Sequence, residues 1–332
     1  MTTDHSAASE SFREAYYQIA KSILESFPKY RPPLDLFVFK DESATLETYC
    51  RKGHRLSNDQ VDEVHKLCTN GSLFVARADH AVYFKHIVKQ LDLVLVDENL
   101  KQTEIAEVII QALTIRLEEF IDQPVRPVFE TLYKDVMVFT EFLSHDKFRI
   151  KLFMRRLALK EHTLSSHSLN TAIAGLWLFF ETRKDYKRRD LDKVTLALLL
   201  HDIGMSKVPS FILAKTEPLK RDERAKIIEH ALQGGKMVHK LGFAFDEMVQ
   251  AIMQHHERLD GSGYPNRLKG DDIGWFGRIT AVADSFSAMI TDRNYAKALP
   301  PAEAAASLQK DDKRYDSKYT ALLNAAYATN QF

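Results

Sequence analysis

In the second half of the chain, three apolar stretches each run directly into side chains that carry chemistry. Leu196–Leu200 leads into His201-Asp202, Ile252-Met253 into His255 and the adjacent His256, and Ile279–Ala283 into Asp284. Polar groups at the mouth of a buried helix must be paired, protonated or bound to metal, because burying them bare costs several kcal/mol. Two more histidines follow the same logic: His167, on a helix opened by Thr163, Ser165 and Ser166, and His230. Together these are five imidazoles and two carboxylates, more than one four- or six-coordinate ion needs. The set suits two metals bridged by a shared carboxylate. Nitrogen and oxygen donors without thiolate favour Fe, Mn or Zn over a structural cysteine-zinc site.

A lone histidine on a helix is more often a satisfied surface or core residue than a ligand. That reading fits His5, His54, His65, His80 and His86. His145-Asp146 repeats the His-Asp dipeptide, but it lies in the polar stretch Ser144–Lys147 with no long apolar run feeding into it. It reads as a solvated turn.

With 332 residues the chain has room for about two domains of roughly 150 residues each. From Asp35 to Val96 the signals are mixed. Asp35–Lys40, Thr45–Lys52, Ser72–Ala78, Val82–Ile87 and Leu91–Val96 read as strands, and Ser57–Leu67 reads as a helix. From Thr103 the period changes: Ile105, Ile109, Leu113, Leu117 and Ile121 recur every four residues. Pro124 and Pro127 interrupt this helix, and a second pattern follows through Tyr133, Val136, Phe139 and Phe142. Such a connector could transmit a signal, dimerise or simply pack. From about Phe148 helical patterns dominate to the end, closing with Ser317–Tyr327. The expected organisation is a small α+β sensory-type module over residues 1–100, a helical connector over 101–150, and an all-α bundle over 151–332.

The composition, 45% hydrophobic and 28% charged with 12 Gly and 10 Pro, argues against disorder and fibrous repeats. Forty-six basic residues cancel 46 acidic ones, so no global field draws in a nucleic-acid polymer. The longest apolar stretches, Ala172–Phe180 and Leu196–Leu200, fall well short of the roughly 18–20 residues that span a bilayer. Met1–Glu10 lacks the apolar core of a signal peptide. Two cysteines, Cys50 and Cys68, make no disulfide framework and no CxxC pair, and the expected compartment is the reducing cytoplasm.

The segment from about Arg156 to Phe332 resembles the HD-GYP family, bacterial phosphodiesterases of the HD superfamily that cleave cyclic di-GMP. The matching text is LLLHDIG at Leu198–Gly204, VPSFILAK at Val208–Lys215, HALQGGKMV at His230–Val238, HHERLDGSGYPNRLKGDDI at His255–Ile273 and RITAVADSFSAMITDRNY at Arg278–Tyr295. The resemblance implies an HD-type helical bundle in which His167, His201, Asp202 and Asp284 hold one metal. Asp202 would bridge to a second metal held by His230, His255 and His256. The implied ions are two divalent metals, iron first, with Mn or Zn as alternatives. The implied reaction is attack by a hydroxide bridging them, in line on phosphorus, giving pGpG and then GMP.

Glu257 and Asp260 are expected to orient the imidazoles. Tyr264, in the tight loop of Gly261, Gly263 and Pro265, could stack on ligand, meet a partner or anchor the loop. Lys207, Lys215, Arg278, Arg293 and Lys297 are candidate phosphate clamps. Arg293 leads them, since it matches the arginine of the family's DRPY segment and a guanidinium fork suits phosphate.

The chain also departs from its family. Met205 stands where typical members carry the lysine of HDIGK, and Ser287 where they carry the aspartate of FDAL. Deleting half of a buried ion pair costs about 3–5 kcal/mol, whereas losing both halves strands no charge, so the two changes read as one coherent rearrangement. Asn294 and Ala296 replace the proline of RPY and the basic residue after PY. Thr163 occupies the position of a glutamate that holds a third metal in some members, so two metals are expected. The missing lysine threatens proton delivery to the leaving oxygen, a contribution commonly worth about 10²–10⁴ in rate; Lys207 is the expected substitute. The alternative reading is a catalytically weak receptor or adaptor that binds a cyclic dinucleotide, or a GGDEF-type partner protein, through the GYP loop. A general HD-type nucleotidase is the third reading, weakened because plain HD enzymes lack the HHE–DG–GYP block.

Overall fold

The computed structural model describes residues 15–19, 21–40, 45–79, 82, 88–95, 100–157, 163–293 and 296–332. The chain divides into two compact units, Met1–Ala112 and Leu113–Phe332.

The first unit holds a four-stranded antiparallel sheet in the order β1-β4-β2-β3. Its strands are β1 (Tyr16–Gln18), β2 (Leu36–Lys40), β3 (Thr45–Cys50) and β4 (Leu73–Ala76). In β4, Leu73 and Val75 are fully buried while Phe74 and Ala76 are half-buried, the alternation of a sheet with one core face. Two helices, α1 (Lys21–Ser26) and α2 (Asn58–Thr69), accompany the sheet, and α2 packs on β4. Ser57 caps α2, accepting from the Gln60 N–H while the Gln60 side chain accepts from the Ser57 N–H. Val61, Val64 and Cys68 form its buried face. Both cysteines are free and buried.

Three of the expected strands are present. The strand expected at Leu91–Val96 is instead a 3-10 helix, Val88–Leu95. Leu91 and Val94 are buried there, and a three-residue repeat matches a 3-10 turn, whereas a strand would have put them on opposite faces. The Val82–Ile87 strand lies outside the described residues except for Val82, as do His5, His80 and His86. The short β1 carried too few residues to show a pattern.

Helix α3 (Gln102–Asp122) spans the division between the units, and α4 (Arg126–His145) belongs to the second. Residues four apart drift by about 40° around a helix. Ile109, Leu113 and Leu117 are therefore fully buried while Ile105 and Ile121, at the ends of the row, are half-buried. In α4, Val136, Phe139 and Phe142 are buried, but Tyr133 is exposed and Leu132 takes its expected place in the core. Asp146 follows α4 and caps a short 3-10 turn, accepting from the Phe148 N–H at 2.9 Å.

The second unit is helical throughout its described residues. After α5 (Ile150–Met154) come α6 (Leu164–Thr182), α7 (Arg188–Leu200), α8 (Ser210–Leu213) and α9 (Arg221–Ile228). They are followed by α10 (His230–Leu241), α11 (Asp246–Gln254), α12 (Trp275–Met289), α13 (Pro301–Lys310) and α14 (Ser317–Ala328). Helix α6 is the axis. Leu169 through Phe180 are all buried, the mark of a helix surrounded by others. It packs against α7 and α12, while α11 packs against α7 and α12 from the far side. A polar clasp joins α4 to α7: Thr140 Oγ1 donates to Asp192 at 2.5 Å, and Arg188 donates to Asp192 at 3.0 Å and to the Met137 carbonyl at 2.7 Å. No helix among the described residues is long and apolar enough to cross a membrane.

Candidate metal centre

All but one of the side chains of the expected cluster are set by where a helix starts or stops. Thr163 caps α6: its hydroxyl accepts from the Ser166 N–H at 3.0 Å while Ser166 Oγ accepts from the Thr163 N–H at 2.9 Å. His167 thereby lies one turn inside α6. His201 is the C-cap of α7 and His255 the C-cap of α11. Both follow helix ends whose free carbonyls favour a nearby cation. His230 opens α10, and Asp284 lies within α12.

Asp202 opens a 3-10 turn (Ile203–Lys207) that packs on α10. Close contact requires Gly204 there, because a Cβ would stand 1.9 Å from the His230 carbonyl oxygen. Gly263 plays the same part in the GYP loop, where a Cβ would meet the Glu257 Cα and the His256 oxygen at 2.5 Å.

The atoms that could hold a metal converge into two groups that share Asp202. One is Asp202, His230, His255 and His256; the other is His167, His201 and Asp202. In the first, His230 Nε2 and His255 Nε2 lie 3.1 and 3.4 Å from Asp202 Oδ1, and 3.1 Å from each other. In the second, His167 Nε2 and His201 Nε2 lie 3.7 and 3.8 Å from Asp202 Oδ2. Asp284 joins the second group, with Oδ1 at 3.0 Å from His167 Nε2 and 3.9 Å from His201 Nε2. Its Oδ2 stands 3.9 Å from His256 Nδ1. All are buried except His256, which is half-buried.

Three rings present Nε2 to the centre because their Nδ1 atoms face backbone carbonyls: His201 to Leu198 at 2.8 Å, His230 to Ile227 at 2.5 Å and His255 to Ala251 at 2.7 Å. A carbonyl only accepts, so Nδ1 carries the proton and the Nε2 lone pair is turned inward. His167 Nδ1 meets the Ser287 hydroxyl at 3.0 Å. Two buried atoms of the cluster, His201 Nε2 and Asp202 Oδ1, have no hydrogen-bond partner among the described residues. Orphaned acceptors at such density are costly unless a cation fills the space between them. The donor set therefore fits a divalent metal bound by nitrogen and oxygen.

The electrostatics agree. Burial alone pushes the Asp202 carboxyl up, but His201, His230 and His255 together hold it well below the usual carboxylate range. Asp284 is likewise pushed up by burial, and the hydrogen bond with His167, together with the neighbouring His201 and His256, brings it well below that range. Burial lowers His201 and His230, but Asp202, Asp284 and the Leu198 carbonyl together raise His201, and Asp202 with the Ile227 carbonyl raises His230. Burial and the neighbouring His255 leave His256 well below the ordinary imidazole range.

Around this cluster several expectations change. Glu257 does not orient the imidazoles. Its buried carboxylate accepts from the Asn266 N–H at 2.7 Å and the Leu268 N–H at 3.0 Å, so it holds the GYP loop closed. Asp260 accepts from the Ser262 N–H at 2.8 Å and stays within its turn. Arg278 is committed to Asp271 and Asp316 at 2.9 and 3.3 Å, and Lys215 to Glu223 at 2.7 Å. Neither is the free phosphate clamp expected of it. Lys207 and Lys297 are exposed, and Arg293 is half-buried, its backbone bridged to Ala296. Asn294 lies outside the described residues. Tyr264 is half-buried, its ring 4.6 Å from that of His256 at 31°. Burial, with the charges of Asp202 and Asp284, pushes its phenol above the usual range, so it stays a neutral donor.

Two residues of consequence were not assigned these contacts from sequence. Ser287 directs both hydrogen bonds of its hydroxyl to His167, to the ring and to its carbonyl oxygen at 3.2 Å. Arg258 is buried over the Tyr315 ring and donates to the His255 carbonyl at 2.9 Å, securing the turn that carries the paired histidines. Its position directly after His-His-Glu was the available signal.

A family model for the HD domain matches residues 151–319, half of the chain. Over 107 residues the chain is 40% identical to a 3′3′-cGAMP-specific phosphodiesterase of Vibrio cholerae, covering 32% of this chain and 20% of that protein. It is 30% identical over 165 residues to a cyclic di-GMP phosphodiesterase of Pseudomonas aeruginosa (50% and 39% covered). It is 31% identical over 177 residues to another of Borreliella burgdorferi (52% and 45% covered). The chain thus spans less than half the length of these curated relatives. A solved structure described as a HDG"Y"P protein from Bdellovibrio bacteriovorus superposes with a TM-score of 0.62 at 17% identity, covering 94% of this chain and 99% of that one, a likeness of fold. With its helical bundle and its histidine–aspartate cluster, the chain belongs to the HD domain family.

Proposed function

We propose that the second unit is a two-cation phosphodiesterase that opens cyclic di-GMP to pGpG and then GMP. The observation that carries this reading is the pair of donor groups sharing Asp202. The substrate class is supported by relatives named for cyclic di-GMP and for 3′3′-cGAMP.

In this reading His167, His201, Asp202 and Asp284 hold one divalent cation, and Asp202, His230, His255 and His256 the other. Iron is the first expectation, then manganese or zinc. When bound, such ions supply Lewis-acid activation of a water and of the phosphoryl oxygens. The chain's own contribution is preorganisation. Three backbone carbonyls keep imidazole lone pairs aimed inward, and the two depressed carboxyls stay ionised at neutral pH.

Glu257 holds the GYP loop so that the Tyr264 ring stands beside His256, where it can stack on a guanine base. Arg293 and Lys297 are the basic side chains assigned to phosphate. Lys207, exposed on the turn that Asp202 opens, is assigned the proton taken up by the leaving ribose 3′-oxygen. Thr163, where a third-metal glutamate would stand, is spent as the α6 cap, which supports two cations.

A second reading, binding with weak turnover, is favoured by the neutralisation of Arg278 and Lys215 and by Met205 in the lysine's place. A GGDEF-type protein would be its partner, at the GYP loop. One experiment separates the two: Fe- or Mn-loaded protein is incubated with cyclic di-GMP and with 3′3′-cGAMP, and products are followed by chromatography. Appearance of pGpG is expected. Nucleotide that binds by calorimetry but stays intact after hours leaves the receptor reading in its place.

A further inference from the structure

We propose that Ser287 is a positioning residue that lets the His167 ring carry its proton on either nitrogen, so that the cation position bounded by His167 and Asp284 can empty and refill. The proposal rests on the two-cation reading above and concerns how the two positions differ.

For His201, His230 and His255 the partner of Nδ1 is a backbone carbonyl oxygen. Only one neutral tautomer is compatible with an acceptor there, the one with the proton on Nδ1. The partner of His167 Nδ1 is the Ser287 hydroxyl at 3.0 Å, and the same hydroxyl lies 3.2 Å from the His167 carbonyl oxygen. A hydroxyl holds one proton and two lone pairs, so two arrangements satisfy every atom. In the first, the hydroxyl donates to the carbonyl and accepts from Nδ1–H, leaving the Nε2 lone pair free for a cation. In the second, the hydroxyl turns and donates to Nδ1, while Nε2–H donates to Asp284 Oδ1, 3.0 Å away. Passing from one to the other, a proton leaves Nδ1 to solvent and another is taken up on Nε2. The net charge of the ring does not change.

The opposite position has no such alternative. There His230 Nε2, His255 Nε2 and Asp202 Oδ1 lie 3.1–3.4 Å apart, and both rings are fixed with Nδ1–H. With both rings neutral three acceptors face one another, and a shared positive ion relieves all three at once, which a single proton on His230 Nε2 does not. Loading is therefore stepwise, with the Asp202–His230–His255 position filled first and held more tightly. In the other position His201 Nε2, which has no partner among the described residues, draws the second cation in.

The test uses the full-length wild-type chain, ¹⁵N-labelled, with zinc as a diamagnetic probe and two-bond ¹H–¹⁵N correlation spectra of the rings. His167 is expected to show a pyridine-type Nδ1 in the metal-free chain and a pyridine-type Nε2 at two zinc ions per chain. His201, His230 and His255 keep Nδ1–H throughout. Nδ1–H on His167 in the metal-free chain overturns the inference whether or not cyclic di-GMP is cleaved. The expected shift sustains it even if no nucleotide is hydrolysed, so the two readings fail separately.

A chelator competition on Ser287→Asp adds a second measurement, because a carboxylate only accepts and fixes Nδ1–H. The weaker zinc is expected to tighten about tenfold, within the usual effect of a partner behind a ligand. An affinity that is unchanged or weaker in a folded variant counts against the proposal, and the wild-type spectra decide the question if the variant does not fold.

Discussion

The dipeptide His-Asp occurs twice in this chain, and its two copies end in opposite surroundings. His145 closes α4 exposed, its ring turned back to the Glu141 carbonyl at 2.8 Å, and Asp146 caps the next turn. His201-Asp202 follows α7 into the interior, both residues buried, with three other histidines within 4 Å of the Asp202 carboxylate. The chemistry of the two residues is the same. What differs is the apolar helix that delivers the second pair into the core, and the other helices that end or pass at the same place. A ligand dipeptide is defined by what converges on it.

The sharpest way to break that comparison is to make the same change at both copies. Asp202→Asn should remove the carboxylate common to both donor groups. Metal per chain by elemental analysis should fall toward zero, and cyclic di-GMP turnover should drop by at least about 10²-fold, since losing even an outer partner of a ligand reaches that range. Asp146→Asn should leave both readings unchanged and shift stability by less than about 0.5 kcal/mol. Equal effects at the two positions would end the argument.

A subtler change leaves every ligand in place. Gly204→Ala puts a Cβ where the His230 carbonyl oxygen now stands, and the oxygen belongs to backbone that cannot swing aside. Urea unfolding should show a loss of about 1–3 kcal/mol, the usual scale of overpacking. Metal content should fall with it, because α10 carries His230. Nothing so close constrains the exposed pair.

Glu257→Gln tests whether a residue next to the ligands belongs to them. Its two oxygens both accept from backbone N–H groups, and an amide can satisfy only one of them. The expected loss is about 1–3 kcal/mol. The Tyr264 loop should become more open to proteolysis while metal per chain stays constant. A fall in metal content would restore the role that sequence alone assigned to this residue.

These contrasts mark what the sequence made legible. The ligand cluster was readable because His201-Asp202, His255-His256 and Asp284 each follow directly on an apolar run, a local feature of the sequence. The neutralisation of Arg278 was not, since Asp316 lies 38 residues on and only the packing of α12 near the start of α14 brings them together. The same holds for Ser287 and His167, 120 residues apart on neighbouring helices. In the first unit, Leu91–Val96 had strand composition, but the burial of Leu91 and Val94 selected a 3-10 turn; β-propensity yields to packing.

Acid provides the smallest and most graded comparison. Asp202 and Asp284 have folded pKa values below the ordinary 3.8, so their contribution to stability is complete above that value and is lost as pH falls through the depressed range. His256, also depressed, contributes above 6.5 and loses that share on acidification. His201 and His230 are raised. Their contribution is complete below 6.5 and is lost as pH rises through the raised values, so it leaves the loss from His256 and the likewise lowered His255 below 6.5 uncompensated. In chelator, the urea midpoint of the wild type should therefore fall first as pH drops below 6.5, through His255 and His256, and again below 3.8, through the two carboxyls. Asp202→Asn should flatten that last fall, because one of the two depressed carboxyls is gone. Asp146→Asn, whose carboxylate caps an exposed turn, should follow the wild-type curve. If the curve of Asp202→Asn is as steep as the wild type's, the buried carboxylate is not the group being protonated, and the electrostatic difference between the two His-Asp pairs is smaller than their geometry requires.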